Sequence, residues 1–103
     1  MTLITIQHNP VYARTAVTPN LQINMFDVSA PTFKRHRDSQ NSAPSMVYFW
    51  GTYTGGVLSI EEPRGVRTLR ERGTWHSFDG RFYHRLSPVT SGVRYSMVLF
   101  DRP

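Results

Sequence analysis

No segment of this chain sustains an apolar period of 3.6 residues; apolar residues alternate or cluster in short runs, and Pro, Gly, Asn and Ser separate the runs. Strands and turns read this way, and helices do not. The pattern predicts strands over 3–7, 21–26, 32–38, 46–50, 57–61, 66–71, 74–78, 83–88 and 94–100. Nine strands in 103 residues leave little room for anything else, so the expected fold class is all-β, with two facing antiparallel sheets and minimal helix. MVYFW at 46–50 sets Met46, Tyr48 and Trp50 on one face and Val47 and Phe49 on the other, as a central strand does. Gly55-Gly56 marks a turn in which a positive φ is available at no steric cost.

Size bears on how many cores such strands can build. With 39% hydrophobic and 13% aromatic residues, a chain of this length buries enough surface for one core. No repeat, low-complexity segment or linker divides it, and residues 1–103 are expected to form a single minimal domain. Cysteine is absent, which excludes disulfides and thiolate metal sites and favours an intracellular setting. Neither an export signal nor an apolar run long enough to span a membrane is visible, so a soluble, by default cytoplasmic, protein is expected.

Charge points outward from the fold to a partner. Twelve Lys and Arg oppose seven Asp and Glu, a formal charge of +5, and eleven of the twelve cations are Arg. Arg forks match phosphate, so nucleic acid is one expected partner; a basic surface that keeps a small domain in solution is the plain alternative. Arg64, Arg67, Arg70 and Arg72 cluster around a predicted hairpin. They form either a phosphate track or a solvated face balanced by Glu61, Glu62 and Glu71. Tyr53, Trp75 and Tyr83 could stack on bases, although aromatics of small β domains more often fill the core.

The chemistry concentrates in FKRHRDSQN, residues 33–41. On a strand, residues two apart share a face, so His36 and Asp38 can converge on one metal ion. Lys34 shares that inward face, whereas Arg35 and Arg37 point away. A third ligand must come from elsewhere, and His8, His76 and His84 are the candidates. His8 lies beside Asn9-Pro10 as a turn residue, and His76 reads as a surface or packing histidine. Asn41 suits a backbone bond in the turn after Asp38 better than a substrate contact. Arg94 follows His84 by ten positions, and Ser96 lies two further along on the same strand face. A guanidinium fork and a hydroxyl together can hold a carboxylate.

His36-x-Asp38, the distal His84 and Arg94-x-Ser96 together resemble the iron(II)- and 2-oxoglutarate-dependent dioxygenase superfamily. Similarity extends over residues 21–100. YTGGVLSI is similar to the Gly-Gly segment after the first ligands, and FDGRFYHRLSPVTSGVRYSMVLF to the carboxy-terminal pattern of the prolyl-hydroxylase-like members. HRDSQN resembles the nucleic-acid-oxidising members, and QINMF resembles their strand whose Asn, here Asn24, helps hold the cosubstrate.

The resemblance implies a double-stranded β-helix of jelly-roll, cupin-like form. It implies that His36, Asp38 and His84 hold Fe(II), and that Arg94 and Ser96, with Asn24, bind 2-oxoglutarate. Oxidation by dioxygen to succinate and carbon dioxide would be coupled to hydroxylation or demethylation of a substrate. Independently, two imidazoles and one carboxylate leave three open positions on iron, whereas zinc with the same ligands would leave Arg94 and Ser96 unexplained.

The substrate stays open between nucleic acid and a protein side chain or small molecule; a non-catalytic module that binds metal or a partner is the third reading. The chain has almost nothing before its core, so the pocket is expected to be shallow and open. On the last strand, Tyr95, Met97 and Leu99 form an apolar outer face that calls for cover, from the amino-terminal strand or from a second copy in a homo-oligomer.

Overall fold

A computed structural model describes residues 2–7, 19–29 and 34–101. Ten strands follow in chain order: β1 (Thr2–Gln7), β2 (Pro19–Phe26), β3 (Ser45–Trp50), β4 (Tyr53–Gly55), β5 (Leu58–Glu62), β6 (Gly65–Leu69), β7 (Trp75–Phe78), β8 (His84–Leu86), β9 (Val89–Gly92) and β10 (Arg94–Asp101). All pairings are antiparallel, and no helix occurs among the described residues. One sheet has the order β1-β2-β10-β3-β7; β6-β5-β8 form a second, and β4-β9 a short ribbon.

The core lies between these layers. Phe26, Val47, Phe49 and Phe78 enter it from the five-stranded sheet. Leu58, Ile60, Leu69 and Leu86 meet them from the three-stranded one, and Tyr53 and Val89 from the ribbon. Period-2 alternation produces this arrangement: in β3 the buried positions are Ser45, Val47 and Phe49, while Met46, Tyr48 and Trp50 are half-buried on the other face. As the sequence suggests, β3 is internal to its sheet, between β10 and β7.

The same parity lines up the inner face across strands. Asn24 pairs with Ser96, and Ser96 with Phe49; Gln22 pairs with Val98, and Val98 with Val47; Arg94 pairs with Phe26. Polar and apolar side chains of three strands therefore face one interior.

Three expectations need correction. The strand predicted over 32–38 does not form among the described residues: only His36 pairs, in an isolated bridge with His84. Asp38 gives its N–H to Gly80 O and its carbonyl to Asn41 N–H, so the chain turns away instead of continuing a ladder. Conversely, β4 and β9 escape the sequence reading, because Thr, Ser and Gly fill them and their apolar content is low.

The amino-terminal strand does not cover β10, since β1 lies beyond β2 at the sheet edge. Much of that outer face is instead self-covered by ring contacts. Tyr95 stacks on Trp50 at 5.5 Å, and Tyr48 packs against both Trp50 and Trp75.

Candidate metal and anion site

His36 and His84 exchange both backbone hydrogen bonds, with N–H to carbonyl distances of 3.0 and 2.8 Å. Residues paired in this way project their side chains to one side. Their rings lie 4.4 Å apart. Asp38, two residues beyond His36, returns to the same side. Its Oδ2 is 3.6 Å from His84 Nε2, and its Oδ1 is 4.0 Å from His36 Nε2. One donor atom from each of the three lies within 4.8 Å of the others, a spacing that one ion can bridge.

The tautomers favour coordination. A carbonyl accepts only, so His36 Nδ1–H donates to Lys34 O at 2.7 Å and His84 Nδ1–H to Phe82 O at 2.9 Å. Each ring is anchored by the residue two before it, and each turns an Nε2 lone pair to the centre. Burial pushes the His84 imidazole pKa down, His36 adds to the fall, and the Phe82 carbonyl and Asp38 oppose it. The ring is thereby held in the neutral, ligating form.

Glycine contributes by what it lacks. A Cβ on Gly80 would lie 3.3 Å from Asp38 Oδ2 and 3.1 Å from Asn41 Nδ2. The carboxylate thus rests against a bare Cα.

The triad lines a cavity of about 160 Å³. Arg94, Ser96 and Asn24 line the same cavity, together with Gln22, Val47, Leu58, Phe78, Leu86 and Val98. Arg94 is 3% exposed and has no carboxylate partner among the described residues; its Nε finds no acceptor. Its guanidinium lies 4.7 Å above the Phe49 ring. Burial lowers the Arg94 pKa and the Tyr53 hydroxyl, bonded to it, opposes the shift. Asn24 Nδ2 donates to Ser96 Oγ at 3.4 Å, and Asn24 Oδ1 is also buried without a partner. Buried polar groups are ordinarily paired; the Arg94 Nε–H is a donor that an anion could satisfy, whereas Asn24 Oδ1 is an acceptor and calls for a donor. Gly56 admits the chain against Arg94: a Cβ there would lie 3.0 Å from Arg94 Cδ, and φ is +61°.

All six residues singled out in the sequence therefore line one cavity. Lys34 does not: its side chain is exposed, and only its carbonyl reaches the site, because 32–38 lacks the strand parity that would turn Lys34 inward. His8 lies outside the described residues. His76 packs on Phe49 at 5.2 Å, donates to Glu71 O, and takes no part in the triad. Asn41 bonds backbone to backbone with Asp38 and is buried.

Two members of the Arg cluster are engaged within the protein. Arg67 is bidentate to Glu62, and Arg72 donates to the carbonyls of Gly51 and Tyr53. Sequence reasoning missed Tyr53 as the support of Arg94, Gly80 as the floor under Asp38, and Gln22, whose strand parity with Asn24 was a usable signal.

No protein-family model and no curated protein matches the chain. Solved structures do match. NgTET1 in complex with 5mC DNA has a TM-score of 0.67 and 24% identity over 79% of this chain and 33% of that one. An oxidoreductase of the 2OG-Fe(II) oxygenase family from Burkholderia pseudomallei has a TM-score of 0.63 and 18% identity, over 82% of this chain and 41% of that one. The cupin domain of an XRE-family transcriptional regulator from Enterobacter cloacae matches at 0.54 and 14%, over 100% and 99%. These likenesses establish the double-stranded β-helix, the cupin or jelly-roll fold. The chain spans well under half the length of the first two of these structures.

Proposed function

We propose that residues 1–103 form a minimal Fe(II)- and 2-oxoglutarate-dependent dioxygenase domain that hydroxylates or demethylates its substrate. One observation carries this reading: a buried guanidinium without an acid shares a single cavity with a His-Asp-His triad. A structural metal site would have no use for Arg94, and a carboxylate site alone would have none for the triad. The likeness to the structure of the 2OG-Fe(II) oxygenase family supports the same reading.

The donor set fits iron(II), since two imidazoles and one carboxylate on one side leave positions for a bidentate oxo acid and dioxygen. Bound together, these supply oxidative decarboxylation to succinate coupled to oxidation of substrate. The chain's own work is orientation and shielding. His36 and His84 present Nε2 because their Nδ1–H groups are held; Asp38 is fixed through its backbone to Gly80 and Asn41. Arg94 and Ser96, steadied by Tyr53 and Asn24, receive the distal carboxylate. Leu58, Leu86, Phe78 and Val98 keep the cavity dry. Substrate approaches on the side of His36 and Asp38, whose side chains are 40% and 35% exposed against 7% for His84. Nucleic acid is the favoured substrate class, with a protein side chain or small molecule as the alternative.

Anaerobic addition of iron(II) and 2-oxoglutarate tests the reading through a weak visible metal-to-ligand absorption band. The band is expected in the native protein and lost in His36→Ala or Asp38→Ala; its absence from folded, iron-loaded protein would contradict the proposal. The cupin domain that matches end to end favours a second reading, a metal- or partner-binding module without turnover. Absorption without succinate release under oxygen would select it.

A further inference from the structure

A second set of side chains flanks the triad on the solvent side. His36, Asp38 and His84 line the cavity, whereas Arg35, Arg37, Tyr83 and Arg85, their chain neighbours, are exposed. The His36–His84 bridge joins the two segments, and the outward residues meet. The Arg35 guanidinium lies 3.8 Å over the Tyr83 ring and that of Arg37 lies 5.3 Å from it. Glu61, whose N–H donates to Tyr83 O, is held bidentately by Arg35. Glu61 is thus engaged by Arg35 and within electrostatic reach of Arg85, and among the described residues no carboxylate forms an ion pair with Arg37 or Arg85.

Tyr53 shows what a purely structural version of this arrangement looks like. Arg72 lies 3.6 Å over its ring, yet Tyr53 is buried in the core and Arg72 spends its donors on two backbone carbonyls. Tyr83, by contrast, is 36% exposed, and the cations around it are exposed too.

We infer that Arg35, Arg37, Tyr83 and Arg85 form a docking platform for single-stranded nucleic acid, a base stacking at Tyr83 and its flanking phosphates taken by Arg37 and Arg85. An exposed ring set among cations suits a π-faced, polyanionic chain, and stacking of this kind is sequence-tolerant. A duplex hides its base faces in its own stack, so the platform discriminates against it. Because Arg37 sits between His36 and Asp38, a strand held there passes the open edge of the cavity. The inference names the substrate class for the oxygenase reading and rests on that reading only for what is oxidised.

The test is fluorescence anisotropy of the metal-free chain with a labelled single-stranded oligonucleotide of about twelve nucleotides, within the usual site size. Binding is expected to weaken with salt, and Tyr83→Leu and Arg37→Gln should each weaken it about tenfold. Tyr83→Phe, which keeps the stacking face, and Arg70→Gln, at the far end of β6, should stay within about twofold of the native affinity. Should Tyr83→Leu fail to fold, Arg37→Gln against Arg70→Gln still decides.

Equal affinity for duplex would overturn the inference, as would native binding in both Tyr83→Leu and Arg37→Gln, or no binding at low salt. A polyglutamate peptide that competes as well as the oligonucleotide would overturn it in favour of an acidic protein partner. Oligonucleotide binding that survives in a protein giving no iron-dependent absorption would sink the oxygenase reading and leave the platform standing.

Discussion

The two polar groupings that line the cavity, the triad and Arg94 with its neighbours, are built differently. The Arg94 grouping is set in β10, the middle strand of the large sheet, flanked by β2 and β3, and its charge is sealed at 3% exposure. The triad hangs on a three-residue strand and one bridge, with two of its three side chains over a third open. A rigid, desolvated grouping makes an anion's charge count strongly, since fewer waters screen it. An exposed one gives a polymer access. The cost is that Arg94 is a stability liability until an anion arrives, whereas the half-exposed His36 and Asp38 carry no comparable burial penalty without metal.

Mutations in each grouping should therefore separate function from stability in opposite senses. Arg94→Met has the largest expected effect: 2-oxoglutarate affinity falls at least about a hundredfold, while metal-free stability rises by about 1 kcal/mol because an unpaired buried charge is gone. Calorimetric titration and thermal unfolding read the two quantities, and a Tm that drops steeply would break the contrast. His84→Ala comes next, losing metal affinity by at least about a hundredfold and stability by about 1–3 kcal/mol, since its ring is buried against Phe78. His36→Ala should lose comparable metal affinity with stability within about 0.5 kcal/mol of native, as suits a half-exposed ring. Equal destabilisation by the two His variants would show the triad to be as rigid as the Arg94 grouping. Gly80→Ala is the smallest: the added Cβ presses on Asp38 Oδ2, and metal affinity falls about tenfold with unchanged secondary structure by circular dichroism.

The same contrast governs what the sequence discloses. Around Arg94 the alternation of β10 is regular from Arg94 to Met97, so Arg94 and Ser96 follow from period-2 reading, as the central place of β3 follows from its two apolar faces; further along, Leu99 is buried out of phase. Around His36 the alternation fails. The motif residues come together as expected, but through a bridge and a turn, and Lys34, which strict alternation turns inward, is exposed. The hydrogen bonds from Asp38 N–H to Gly80 O and from Asn41 N–H to Asp38 O override the strand pattern there, and they join positions about forty residues apart or only three. Tyr53 was illegible for a related reason: β4 is three residues long, and its pairing is with β9, some forty residues away in sequence. Local pattern reads strands that a ladder sustains on both sides; it does not read those that a distant partner imposes.

The central claim is that one cavity takes a metal at the triad and a carboxylate at Arg94 at the same time. Titrating 2-oxoglutarate and 2-oxobutanoate, which lacks the distal carboxylate, into anaerobic protein with and without iron(II) tests it most directly. The account predicts binding of 2-oxoglutarate that requires the metal, and a preference of at least about thirtyfold over 2-oxobutanoate that disappears in Arg94→Met. Equal affinity for the two acids in the native protein, or an affinity indifferent to iron, would contradict it.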